Sequence, residues 1–111
     1  MKRIDEEAPF REVHVDEVQK LIDAGYEVID VRDDWEWKRG HIPGARHIVL
    51  DQIVKQPHAH KFRDRTLFVC AVGNRSAIAA EMAAALGSKD IVNFRGGTDA
   101  WRKAGLPLEV P

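Results

Sequence analysis

The chain holds one thiol, Cys70. It ends the apolar run Thr66-Leu67-Phe68-Val69 and precedes Ala71, Val72, Gly73, Asn74, Arg75 and Ser76. A thiol at a strand end, followed by a short loop and a helix start, sits at the positive end of a helix dipole. Backbone N–H groups of such a loop converge on an anion. A thiolate is an anion, so its pKa falls there, and the thiolate is the nucleophile. Gly73 allows a turn that a Cβ would obstruct. Arg75 adds a fixed positive charge. The Ser76 hydroxyl can donate to sulfur or cap the helix. The competing reading is a buried, inert cysteine, the usual state of a free one.

Such a loop needs elements to hold it. Short β-rich runs occur at Val28–Val31, His47–Leu50, 66–70 and 91–94, with a weaker one at 12–14. They are near-continuous rather than alternating, as in strands covered on both faces. Helical patterns lie between them. Asp16 is expected to cap a helix carrying Val18, Leu21 and Ile22, with Gln19 completing a capping box and Gly25 ending it. Residues 76–86 place Ala79, Met82, Ala83 and Leu86 on one face, with Gly87 as the stop. Short helices are expected over 33–39 and 98–103. This alternation predicts one α/β domain around a mostly parallel sheet of about five strands, over residues 1–111 with a core at about 10–110 and an N-terminal extension at 1–9.

In open α/β sheets, ligands bind beyond the carboxyl ends of the strands. Three loops would meet there. They carry Asp30 and Arg32, Cys70 through Ser76, and Gly96 with Gly97. Asp30 is expected to brace the cysteine loop by pairing with Arg75 or with backbone N–H groups. Gly96-Gly97 reads as a tight turn that lets backbone approach that loop. It lacks the pattern of a nucleotide-binding loop. His58 and His60 could share a metal, but no carboxylate or thiol lies near them in sequence, so a solvated loop is expected.

Composition bounds the rest. Leu, Ile, Val and Phe supply 29 of 111 residues, enough for a packed core. The net charge of -1 argues against a nucleic-acid footprint. No apolar run reaches the ~20 residues of a membrane span. One cysteine can form neither an internal disulfide nor a four-thiolate zinc site. The basic-then-acidic start has no following apolar segment, so a cytoplasmic protein is expected.

Four segments, in order, resemble the rhodanese family of sulfurtransferases. Cys70-x-x-Gly73-x-Arg75-Ser76 looks like its active-site loop. Val28-Ile29-Asp30-Val31-Arg32 is similar to its early strand. Gly40-His41-Ile42-Pro43-Gly44-Ala45 matches its best-known signature. Gly96-Gly97-Thr98-Asp99-Ala100-Trp101, followed by Gly105-Leu106-Pro107-Leu108, resembles its closing signature. The resemblance implies a rhodanese-like three-layer fold with a central parallel five-stranded sheet flanked by helices. It also implies a sulfurtransferase that takes sulfur from thiosulfate or another persulfide donor onto Cys70. The sulfur then passes to cyanide, a thiol or a protein thiol. The implied reaction needs no metal and no cofactor.

His41 is then a structural turn residue satisfied by backbone. Trp37 and Trp101 are expected in the core, and Trp35 is read either as exposed near the site mouth, lining an entrance or partner surface, or as a half-buried helix residue. Phosphatases and arsenate reductases of the same fold class resemble this pattern but carry one more residue between Cys and Arg. The six-residue loop Cys70–Arg75 argues against that alternative. The other alternative is a non-catalytic rhodanese-like binding module, which usually lacks the cysteine. Ala71 and Val72 depart from the basic or polar residues common after the cysteine in thiosulfate-using members. Weak binding of the doubly charged thiosulfate is therefore expected, with a less charged donor or a docked protein preferred.

Overall fold

A computed structural model describes residues 9–111; of the expected N-terminal extension, only Pro9 lies within the described residues. Five strands form one sheet: β1 (Arg11–Val13), β2 (Glu27–Asp30), β3 (Arg46–His47), β4 (Thr66–Val69) and β5 (Val92–Phe94). Their spatial order is β1-β5-β4-β2-β3, and every pairing is parallel. Among the described residues, five α-helices flank the sheet: α1 (Val15–Asp23), α2 (Asp34–Arg39), α3 (Leu50–Lys55), α4 (Asn74–Ala85) and α5 (Gly97–Lys103). No described helix is long and apolar enough to cross a membrane.

Successive strand residues point to opposite faces, so each central strand feeds two cores. Ile29, Phe68 and Cys70 join Ile53, Ala79, Ala80 and Ala83 on the α3–α4 side. Val28, Leu67, Val69 and Val92 join Val18 and Trp101 on the α1–α5 side. The expected three-layer α/β architecture is therefore present. The near-continuous apolar strands have the reason given for them: both faces are covered.

Local details differ. Asp16 does not cap α1; His14 takes the N-cap position without a side-chain hydrogen bond, and Asp16 lies in the first turn. Gln19 donates to Asp23 rather than closing a capping box. The run 47–50 is only half strand. Ile48 and Leu50 still donate to the Asp30 and Val31 carbonyls, at 3.0 Å each, but Leu50 already opens α3, a helix the apolar run disguised. The buried face of α4 is Ser76, Ala79, Ala80 and Ala83; Met82 is partly buried, and Leu86 is 40% exposed. Small side chains let α4 lie close on the sheet, and the face is rotated from the expected one toward Ala80. Trp37 is half-buried rather than core, stacked between His41 and His47 with centroids at 3.5 and 4.6 Å. Trp101 is buried, as expected.

Phe68 is fully buried and meets Phe62 edge to face at 5.2 Å. Phe68→Ala is expected to cost about 3–5 kcal/mol. Leu86→Ala should cost less than about 1 kcal/mol. Urea unfolding of the two variants measures the difference, and equal losses would contradict this placement of the α4 face.

Candidate active site

The carboxyl ends of β2, β4 and β5 meet at one edge of the sheet. The turn after β5 packs directly on the loop after β4. Thr98, Asp99 and Gly96 donate their N–H groups to the carbonyls of Cys70, Ala71 and Val72, at 2.9, 3.0 and 3.0 Å. In each peptide, the C=O and the following N–H point in opposite directions. Three carbonyls committed to the β5 turn therefore turn the N–H groups of residues 71–73 to the other side. Gly97 makes the approach possible: a Cβ there would lie 2.2 Å from the Cys70 carbonyl oxygen and 2.6 Å from Ala71 backbone. The expected role of Gly96-Gly97 as a close-approach turn is what the geometry displays.

Gly73 precedes α4 with φ 114°, a left-handed conformation suited to glycine. Its N–H donates to Cys70 Sγ at 3.1 Å, and the Ser76 N–H does so at 3.4 Å. Ser76 Oγ lies 3.3 Å from the sulfur. Ser76 therefore sits in the first turn of α4 beside the thiol, not at the cap. Cys70 is 1% exposed. Burial pushes its pKa up, but hydrogen bonds from the Ser76 side chain and from the Ser76, Gly73 and Val72 backbone outweigh burial and hold it below the ordinary thiol value.

Arg75 does not pair with Asp30. It grips Glu36 of α2 in a two-pronged ion pair, Nη1 to Oε1 at 2.7 Å and Nη2 to Oε2 at 2.9 Å. The guanidinium beside Glu36 holds that carboxyl below its usual pKa against the opposing effect of burial. Glu36 in turn raises the pKa of Arg75. Asp30 is occupied by Arg32, its neighbour at the end of β2. Arg32 Nε reaches both carboxylate oxygens at 3.0 Å, and its Nη2 donates to Asp30 Oδ2 at 2.8 Å and to the Gly40 carbonyl at 2.7 Å. Arg32, two residues away, takes both oxygens of Asp30, and Arg75 takes Glu36. The backbone N–H that Asp30 accepts, at 2.9 Å, is that of Arg32 and not one of the cysteine loop, so the expected brace to that loop is replaced by the Arg32 pair. The pair thus ties β2 to the turn before His41.

His41 donates from Nδ1 to the Trp37 carbonyl at 3.2 Å and pairs its backbone with Glu109, as a turn residue should. His47 donates from Nε2 to the Arg32 carbonyl at 2.7 Å. His58 and His60 border a separate surface pocket with Lys61 and Asp64. A cleft of about 210 Å³ opens beside Ala71, walled by Arg32, Trp35, Glu36, Arg39 and Arg102. Trp35 is 61% exposed there, with the Arg39 guanidinium 5.5 Å from its ring centre.

Sequence reasoning missed two residues. Glu36 stands three positions after the helix-capping Asp33, and its carboxylate also accepts the Asp33 N–H at 3.0 Å. That spacing predicts a capping role and conceals the partner across the site. Asn93 read only as a strand residue, yet it is fully buried and accepts from the Ser76 hydroxyl. Its amide donates to the Gly73 carbonyl at 3.0 Å and to Glu12 Oε2 at 2.9 Å. A polar residue in an otherwise apolar buried strand was the available signal.

The model of the rhodanese-like domain matches residues 14–104. A thiosulfate sulfurtransferase GlpE of Pseudomonas paraeruginosa is 31% identical over 93 residues, 84% of each chain. A rhodanese-related protein of Thermoplasma volcanium superposes with TM-score 0.79 at 31% identity, over 91% of this chain and 99% of that one. A Rhodopseudomonas palustris protein described as a possible tyrosine phosphatase superposes with TM-score 0.75 at 26% identity, over 98% of this chain and 96% of that one. With the fold, the loop and the closing turn agreeing with a match over most of its length, this chain belongs to the rhodanese-like domain family.

Proposed function

We propose that the protein is a sulfurtransferase that carries one sulfane sulfur as a persulfide on Cys70. The observation that carries this reading is the convergence of N–H donors on a buried sulfur whose pKa is held down. The family relationship and the sulfurtransferase relative support it. The Cys70 thiolate attacks the outer sulfur of thiosulfate. A carbon-free S–S bond breaks, sulfite leaves with the bonding pair, and Cys70–S–S⁻ forms. Backbone N–H groups of the loop from Ala71 to Ser76 hold the new terminal anion, as an oxyanion hole holds oxygen. Cyanide or a thiolate then attacks the terminal sulfur, and the Cys70 thiolate leaves. Two half-reactions through one covalent intermediate give ping-pong kinetics. With one cysteine in the chain, the second sulfur nucleophile comes from another molecule.

The loop argues against phosphatase chemistry. A tetrahedral oxyanion needs a wide cradle and an arginine aimed into it. Both terminal nitrogens of Arg75 are bound to Glu36 instead. The same pairing weakens thiosulfate binding, because the only charge of the 70–76 loop is neutralised. Singly charged persulfide donors, or a protein that docks at the Trp35 cleft, suit the site better.

Incubation with thiosulfate should add the mass of one sulfur atom to the intact protein, and Cys70→Ser should abolish the adduct. An unmodified wild-type mass together with phosphatase turnover would sink the reading. Thiosulfate:cyanide turnover should show a KM at or above ~1 mM, the upper end of the common range. Saturation at micromolar thiosulfate would contradict the neutralised arginine. Gly97→Ala forces the β5 turn off the Cys70 loop, and a misplacement of that order costs about 100-fold in kcat/KM. Steady-state kinetics beside urea unfolding separates that loss from simple destabilisation.

A further inference from the structure

Ser76 has one hydroxyl proton and two neighbours placed to take it. Asn93 Oδ1 lies 2.5 Å from Ser76 Oγ, and Cys70 Sγ lies 3.3 Å from the same oxygen. All of these side chains are buried. Asn93 cannot turn its amide around cheaply. Its NH₂ is held between two acceptors, the Gly73 carbonyl and the Glu12 carboxylate. A flip would point the Asn93 carbonyl at both of them.

We propose that Asn93 is a positioning residue of the sulfur site: pinned by Glu12 and Gly73, its carbonyl competes with the Cys70 sulfur for the one Ser76 hydroxyl proton. In the thiol state every group is satisfied. The Cys70 S–H donates to Ser76 Oγ, and the Ser76 O–H donates to Asn93. When Cys70 loses its proton to solvent, the thiolate becomes an acceptor. The Ser76 hydroxyl must rotate to the sulfur to stabilise it, and the buried Asn93 carbonyl then loses its donor. No bond of Ser76 breaks; only its O–H direction changes. Each charged state of the sulfur, thiolate or persulfide, carries this cost. Asn93 thus offsets part of what the backbone donors give. Glu12, on the exposed edge strand β1, reaches the sulfur chemistry through that contact.

Other charged groups around the Cys70 loop are the Arg75–Glu36 pair from α4 and α2, the Asp30–Arg32 pair at the end of β2, Arg39, Asp99 and Arg102 on the cleft beside Ala71, and Arg95 after β5, which donates to Asn74 Oδ1. They stay the same in every variant below.

The proposal rests on Cys70 being the reacting thiol, but its test does not require sulfur transfer. With one cysteine in the chain, the pH dependence of iodoacetamide alkylation, read by intact mass, reports the Cys70 pKa alone. The variants are Asn93→Ala and Ser76→Ala, singly and together. With Asn93 present, part of the hydroxyl's gain at sulfur is offset, so Ser76→Ala should raise the pKa only modestly. With Asn93 removed, Ser76→Ala should raise it by about 1 pH unit more than in the wild type. If Asn93 only supports the loop, Asn93→Ala loosens the sulfur contacts, and Ser76→Ala matters equally or less in that background; that result overturns the proposal. Glu12→Ala, on the surface, keeps the test valid should Asn93→Ala fail to fold. It unpins the Asn93 amide and should lower the Cys70 pKa, with the shift vanishing in a Ser76→Ala background. A shift that persists there is through-space charge, and it overturns the proposal. Absence of a sulfur adduct alongside the expected alkylation pattern would refute the persulfide reading and leave this one standing.

Discussion

Everything at the sulfur depends on three backbone hydrogen bonds between two turns. The carbonyls of Cys70, Ala71 and Val72 are committed to N–H groups of the β5 turn. A carbonyl fixed outward fixes the next N–H inward, so the cradle around Sγ is built by the packing of its outer wall. Gly97 is the condition for that packing, because a side chain there would occupy the Cys70 carbonyl. The parallel sheet supplies the rest: β4 and β5 are neighbours, so their carboxyl-end turns meet. Strand order, one missing Cβ and peptide planarity together aim N–H donors at the sulfur without a charged ligand.

The arginine of the loop has a structural task in this arrangement. Its bond to Glu36 ties α2 to the first turn of α4 across the site mouth. The Asp30–Arg32 pair likewise ties β2 to the Gly40 turn. These pairs are partly or fully withdrawn from water, where breaking one partner leaves a costly lone charge. Both therefore act as rigid struts, and the attraction for an anion comes from peptide dipoles and the α4 terminus. Dipoles of fixed direction suit a single sulfur at a single position. A doubly charged ligand free to reorient gains less from them than from a mobile guanidinium.

The layers and the loop were legible in the sequence because they depend on local pattern. Continuous apolar strands, helix stops at glycine and the Cys70–Ser76 spacing each involve residues close together in the chain. What failed involves partners far apart or equivalent by type. Arg75 had Asp30 and Glu36 available as carboxylates, and only the folded distance chooses Glu36. Asn93 lies 17 positions from Ser76 and 81 from Glu12, so no spacing reveals the contacts. The start of α3 at Leu50 was hidden because Ile48 and Leu50 keep donating to β2 while the chain turns into a helix. Apolar content reads the same in both states. The face of α4 was misjudged because alanines carry little periodic signal, and the sheet selects the closest-packing side.

A sulfur relay asks opposite things of one atom. On the proposed reading, Cys70 is anionic enough to attack a donor, and later leaves as a thiolate when the acceptor takes the terminal sulfur. A thiol of very low pKa leaves readily but attacks weakly, while a high pKa reverses both, so the useful value lies between. The backbone donors push the Cys70 pKa down, and burial pushes it up. The Asn93 carbonyl adds a second opposing influence, one that acts through a single rotatable hydroxyl rather than through charge. A balance made from short, buried, neutral groups is insensitive to salt, unlike one made from exposed ions. On the proposed reading it also keeps the sulfur site free of a fixed counter-ion that would hold a persulfide too firmly to release it.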